Sequence, residues 1–323
     1  MPQGHRARKR ETIRFNRNTY RILRKIRLRG RPYLVVDEWP NVYKVFDPIV
    51  RQMRTIRFRR SGASVERRLL QTAANHNRNL PKVLDQGRDE EGRDYLILEW
   101  INGYTLQHYI ALGRPGKPYF LAEKSYKLIL GLAHGLRQLH RDNIVHGDLK
   151  PSNLIVAPSN CLVMIDFGIA WSGARALHRA KKATAGYAAP EQWRSEQLVD
   201  HRSDQFSASV ILYQMLTGEL PYDGLGGRAA EFGETPAIRP PSRRNPNVWL
   251  SLDDVVVKGA SLAKNERYDT TSEWLMALKL AASPGEFSRF AQVQWNKIVS
   301  RSNRVSRDLA RRINAMLDQT GLG

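Results

Sequence analysis

The chain has 323 residues, 41% of them apolar and 26% charged, enough to bury a sizeable core and to exclude a wholly disordered protein. Fifty-two Lys plus Arg against 31 Asp plus Glu give a net charge of +21, which favours acidic partners such as nucleic acid, anionic lipid or acidic protein surfaces. The single cysteine, Cys161, excludes disulfide frameworks and thiolate zinc clusters, and no apolar run reaches the roughly 18 residues that a transmembrane helix needs.

The charge is unevenly spread. Residues 1–31 hold twelve Lys/Arg and one acid, Glu11, and so carry +11; residues 284–323 hold seven bases and three acids, giving +4. The 252 residues between them carry only +6. The first dozen residues have almost no apolar content, so 1–18 is expected to be a basic, disordered arm able to hold nucleic acid or another acidic surface without sequence preference. No apolar stretch follows these arginines as it would in a secretory leader, which with the lone cysteine points to a cytoplasmic chain.

From Thr19 the sequence YRILRKIRLRGRPYLVV alternates β-branched and aromatic residues with Arg, the pattern of half-exposed strands. KVLDQG and RDYLILEW read as further strands around the Gly-containing turn DEEGR. Beyond about Lys117 the period lengthens, and Leu128, Leu132, Leu136 and Leu139 fall on one helical stripe. Strands first and helices afterwards predict an α+β organisation. From Glu286 onward, Phe290, Val293, Ile298, Val305, Leu309, Ile313 and Met316 recur at mostly helical spacing with Arg between them. The segment 284–323 is therefore expected to be a basic amphipathic extension that docks on the body or on a partner protein.

The most informative stretch is HGDLKPSN at 146–153, followed after the apolar CLVMI by Asp166-Phe167-Gly168. Phosphoryl transfer needs an acceptor for the attacking hydroxyl, a cation on the transferring phosphate, and oxygen ligands for Mg²⁺. Asp148, Lys150, Asn153 and Asp166 supply these functions. His146 suits packing and hydrogen bonding beneath the loop better than proton abstraction. Cys161 is expected to be a small buried apolar residue.

This order of motifs resembles the eukaryotic-type protein kinase family. ATAGYAAPE at 183–191 resembles the end of an activation segment, with Glu191 placed to pair with Arg267. SDQFS at 203–207 resembles the start of the central helix, whose Asp204 would support the catalytic loop. YLILEWI at 95–101 resembles the last front strand and hinge: Leu98 would guard the pocket, and backbone groups of Glu99 and Ile101 would hold adenine. The resemblance implies a bilobal fold within 19–283. A small antiparallel sheet with one helix would span about 19–98, and a larger helical lobe about 102–283. It further implies ATP with Mg²⁺, or Mn²⁺, on Asn153 and Asp166, and a protein substrate or signalling partner. Lys150 and Thr184 follow the Ser/Thr pattern, so the acceptor would be a Ser or Thr hydroxyl.

Three departures qualify this reading. The loop is His-Gly-Asp, and Gly147 lacks the guanidinium that reads an activation-segment phosphate. His-Gly-Asp also occurs in small-molecule phosphotransferases, although Lys150, the Ala-Pro-Glu segment and the 203–207 helix resemble protein kinases. Aligning VYKVFDP at 42–48 with the second strand of the family puts Val42 among the nucleotide-binding residues and Arg57 where a Lys is usual, with Glu66 as its helical partner. Arg keeps the charge but not the compact ammonium. In this register the positions of the Gly-rich loop read Val35, Asp37 and Pro40; the alternative register reads Arg27, Arg29 and Pro32. Lys44, on the same strand face as Val42, would be a partial substitute for the ammonium or a solvated side chain. An atypical Ser/Thr kinase, a pseudokinase scaffold and a small-molecule kinase are the three functional readings, in that order.

Overall fold

A computed structural model describes residues 12–15, 18–29, 31–39, 42–59, 77–166, 171–172, 184–193, 199–231 and 237–282. The alternation read in the sequence builds its front lobe. Strands β1 (Thr12–Phe15) and β2 (Asn18–Arg21) form an antiparallel hairpin of their own. The boundary expected at Asn18 falls inside this hairpin. Among the described residues, strand backbone is present from Thr12, within the arm expected to be disordered, where Thr-Ile-Arg-Phe already alternates polar with apolar residues.

Six further strands form one antiparallel sheet: β3 (Arg24–Leu28), β4 (Arg31–Trp39), β5 (Val42–Asp47), β6 (Gln52–Arg59), β7 (Val83–Arg88) and β8 (Asp94–Glu99). Their spatial order is β3-β4-β5-β6-β8-β7. Period-two alternation gives the sheet two distinct faces. One buries Leu28, Tyr33, Val35, Val45, Ile56, Phe58, Tyr95 and Ile97 in a core of their own. The other carries the cross-strand rows Val42–Arg57–Leu96 and Lys44–Thr55–Leu98. Arg29 Nη1 lies 3.6 Å from Asp85 Oδ1, so the two edge strands approach each other and the sheet curls over its apolar face.

The rear lobe contains, among the described residues, the helices α1 (Leu106–Leu112), α2 (Ala122–Arg141), α3 (His201–Thr217), α4 (Leu250–Gly259) and α5 (Thr271–Leu280). The predicted stripe on α2 is the buried one: Leu128, Leu132, Leu136 and Leu139 are at most 1% exposed. Helix α3 is buried from Ser203 to Thr217 except at Gln214, which makes it the centre of the lobe rather than an amphipathic surface helix. Short strands β9 (Tyr104–Thr105), β11 (Leu154–Val156) and β12 (Leu162–Met164) form a small sheet. β10 (Ile144–Val145) pairs with β13 (Trp171–Ser172). The loop 146–153 therefore lies between β10 and β11, and Asp166 follows β12.

Buried amides join the lobes. Asn77 Nδ2 donates to the Gly135 carbonyl at 2.9 Å, and Asn79 Nδ2 donates to that of Leu162 at 2.7 Å. The Asn79 carbonyl accepts the Met164 N–H at 2.8 Å. Gly135 is required here, since a Cβ on it would meet the Asn79 side chain at 2.7 Å. Cys161 departs from its expected burial: it is half-buried, just before β12, with Sγ 3.0 Å from Ser159 Oγ. No helix among the described residues is long and apolar enough to cross a membrane.

Candidate active site

The turn after β10 is held from below. Asp204, near the start of α3, accepts the His146 N–H on Oδ2 and the Gly147 N–H on Oδ1, both at 2.8 Å. Its Oδ2 also hydrogen-bonds His140 Nε2 at 2.8 Å, and the other ring nitrogen lies 2.6 Å from the Thr271 hydroxyl. Burial pushes the Asp204 carboxyl up, but these donors outweigh it and hold the group below the ordinary carboxylate range. Burial pushes the His146 imidazole down. Its neutral Nδ1 accepts the Asp148 N–H at 3.3 Å. His146 therefore packs beneath the loop.

Gly147 has φ +75°, a conformation open to glycine at little cost. Its carbonyl accepts Gln192 Nε2 at 2.7 Å. The next residue, Asp148, presents its carboxylate to three donors: Lys150 Nζ at 2.8 Å, Thr184 Oγ1 at 2.8 Å and Asn153 Nδ2 at 3.1 Å. Lys150 Nζ also donates to Thr184 Oγ1 at 3.0 Å. The same Asn153 amide donates to the Asp148 carbonyl at 2.9 Å, which leaves its oxygen as the available ligand atom. The Asn153 carbonyl accepts the Ile165 N–H at 3.0 Å and so brings the chain leading to Asp166 alongside. Asp148, Lys150, Asn153 and Asp166, four residues picked out in the sequence, thus share one site.

Asp166 faces the front lobe, where its Oδ1 meets Arg57 Nη2 at 2.5 Å. Arg57 is only 17% exposed, at the middle of the row Val42–Arg57–Leu96. The pairing of β4 with β5 runs to Trp39 opposite Val42, leaving two residues, Pro40 and Asn41, between the paired ends. Of the three positions aligned with phosphate-cradling glycines, Val35 and Asp37 lie on β4, with a register shift between them, and Pro40 lies outside the described residues. Glu66, the expected partner of Arg57, lies outside the described residues, as do Phe167, Gly168 and 283–323.

Leu98 is 5% exposed in the row Lys44–Thr55–Leu98, at the back of the cleft. Glu99 ends β8, its N–H donating to the Lys82 carbonyl at 3.0 Å and its carboxylate accepting the Lys82 N–H at 2.9 Å. Ile101 follows, half-buried, on the hinge. Lys44 stands over the Trp100 ring, 4.3 Å from its centroid, beside the hinge.

The donor set suits a magnesium nucleotide. A carboxylate and an amide oxygen are hard ligands, and the cations Arg57 and Lys150 bracket them. Farther down, Glu191 and Arg267 form the expected pair, bidentate at 2.7 and 2.9 Å and fully buried, with Ser203 Oγ donating to Glu191 at 2.7 Å. Sequence reasoning did not identify Gln192, His140 or Asn79 as parts of this scaffold. Gln192 carried a positional signal, since it directly follows the Ala-Pro-Glu segment.

Residues 52–253 match the family model described as protein kinase domain. The match starts with the first residue of β6, after the hairpin that lacks the glycine pattern. The chain is 32% identical over 229 residues to the serine/threonine-protein kinase PknB of Mycolicibacterium smegmatis, covering 68% of this chain and 34% of that protein. For PknB of Mycobacterium leprae the identity is 31% over 228 residues, with the same coverage. The serine/threonine-protein kinase PrkC of Bacillus subtilis is 28% identical over 207 residues, 63% of this chain and 31% of that protein. The chain spans about a third of the length of these relatives. With more than half of its residues matched, on the elements that hold Asp148, Asn153, Asp166, Glu191 and Asp204, the chain belongs to the protein kinase family.

Proposed function

We propose that this chain transfers the γ-phosphoryl group of ATP to Ser or Thr hydroxyls of a protein, with the kinase domain running over 19–283. The observation that carries this reading is the Asp148 carboxylate, oriented by Lys150, Thr184 and Asn153. A carboxylate has about four acceptor positions, so one remains for an incoming hydroxyl. Asp148 accepts the proton of that hydroxyl as its oxygen bonds to the γ-phosphorus, and the bond from phosphorus to the β,γ-bridging oxygen breaks, leaving its electrons on ADP. Lys150, held by Asp148 and Thr184, places an ammonium beside the transferring group. Arg57, on Asp166, stands toward the phosphates, and Lys44, in the next cross-strand row and over Trp100, stands toward adenine. Bound Mg²⁺, held by Asn153 and Asp166, would supply charge neutralisation on the phosphates. The names of the bacterial relatives support a Ser/Thr acceptor.

Arg57 on Asp166 favours a second reading, a nucleotide-binding pseudokinase, because the ion pair occupies a carboxylate that metal binding needs. Incubation of the purified chain with labelled ATP, Mg²⁺ or Mn²⁺ and generic protein acceptors, beside Asp148→Asn, separates the two. Transfer that disappears in the variant supports the kinase; nucleotide binding without transfer supports the pseudokinase.

A further inference from the structure

We propose that Gln192 is a positioning residue that sets Asp148 through the Gly147 carbonyl, in place of an activation-segment phosphate. The proposal rests on the kinase reading above and adds its mode of regulation: transfer does not wait for phosphorylation of that segment. Position 147, where a guanidinium would read such a phosphate, is occupied by glycine, so no charge-assisted fork is available there. Instead, both polar groups of Gly147 are tied by neighbouring side chains. Its N–H donates to Asp204 Oδ1 at 2.8 Å, and its carbonyl accepts Gln192 Nε2 at 2.7 Å.

Gln192 is itself immobilised. It is 3% exposed, its Oε1 accepts the Ala189 N–H at 3.0 Å, and its own N–H donates to the Ala189 carbonyl at 3.0 Å. The adjacent Glu191 is locked to Arg267. The carboxamide therefore bridges the segment 184–193 to the catalytic loop without any modification, one residue before Asp148. Thr184 makes a second bridge from the same segment, to the Asp148 carboxylate. A buried carbonyl deprived of its donor loses far more than one water-exposed hydrogen bond would contribute.

Gln192→Glu tests this. An ionised Glu can still accept from Ala189 N–H but has no proton for the Gly147 carbonyl; a protonated Glu regains a donor. Burial at this site raises the carboxyl of the variant, so the donor returns as pH falls. The charged or titratable groups adjoining this bridge are the Glu191–Arg267 pair, Asp204, His146 and Asp148, and the wild-type pH profile divides out their contribution. At pH 8 the variant should lose about tenfold or more in kcat with KM for ATP within about twofold, and its activity relative to wild type should rise toward pH 6. Phosphatase-treated wild type should retain its rate. Equal kcat in the variant, a flat relative profile, or activity lost with phosphatase would each overturn the proposal.

A second readout needs no catalysis. Amide exchange over residues 146–149 should quicken about fivefold or more in Gln192→Glu, or in Gln192→Met if the first variant does not fold. Unchanged exchange overturns the bridge. A wild type that transfers no phosphate would defeat the kinase reading, and the exchange comparison would still decide the bridge.

Discussion

Arg57 and Asp166 meet at 2.5 Å across 109 residues of chain, joining the front sheet to the strand end behind the catalytic loop. A planar guanidinium grips a carboxylate more firmly than a hydrated ammonium does. Arg57→Lys should therefore release Asp166 for metal, raising kcat/KM for ATP about tenfold and lowering the half-saturating Mg²⁺ concentration. Steady-state kinetics at several Mg²⁺ concentrations measure both. A loss of rate in this variant would mean that the guanidinium itself serves the phosphates.

Asp148→Asn keeps the shape of the side chain but cannot take a proton. Transfer should fall by about 10²–10⁴-fold while nucleotide binding, followed by a fluorescent analogue, stays near wild type. Thr184→Ala removes the hydroxyl shared by Asp148 and Lys150 and should cost about tenfold in kcat, whereas Thr184→Ser should restore most of it.

Arg267→Ala would strand the Glu191 carboxylate in a site where it is 1% exposed. Breaking such a pair from one side costs about 3–5 kcal/mol, which urea denaturation would register as a lower midpoint. Replacing both partners with apolar residues, Glu191→Leu with Arg267→Met, should be less damaging than the single change. A single variant as stable as wild type would contradict this account of the pair.

Acid should loosen the catalytic loop. Burial lowers the His146 pKa in the folded chain, so the neutral imidazole is favoured on folding. Its contribution to stability is fully present above the unfolded value of about 6.5 and is lost as pH falls from there through the folded value, at up to about 1.4 kcal/mol per pH unit. His134, also lowered, acts with the same sign. Protonation of Nδ1 further abolishes its acceptance of the Asp148 N–H. Urea midpoints between pH 7.5 and 5 should decline, and His146→Asn should flatten the slope.

Contiguous motifs were the most legible part of the molecule. Asp148, Lys150 and Asn153 lie in one short segment whose resemblance to a kinase loop marked them together, and the Leu128 to Leu139 stripe declares its helix. Glu191 and Arg267 lie 76 residues apart, yet each stands in a recognisable segment. Placing Arg57 on the cleft face needed only the alignment of one strand, since period-two alternation does the rest. Other features depend on chain closure, which no local pattern encodes. Lys44 went to the hinge tryptophan because the strand row aims it there. Gln192 and Asn79 are uncharged amides without periodicity, and their importance exists only once distant carbonyls have been brought to them. The hairpin that starts at Thr12 lies partly within the stretch read as a basic arm, where dense charge obscures the alternation of a strand.

The Asp204 carboxylate also bears on how the site is assembled. It receives the His146 and Gly147 N–H groups and the ring of His140, whose other nitrogen meets Thr271. His140, Asp204 and Thr271 stand on α2, α3 and α5, so the turn before Asp148 takes its shape from three helices far apart in the chain. Long-range packing of the rear lobe, and not the loop's own sequence, therefore sets where that carboxylate stands.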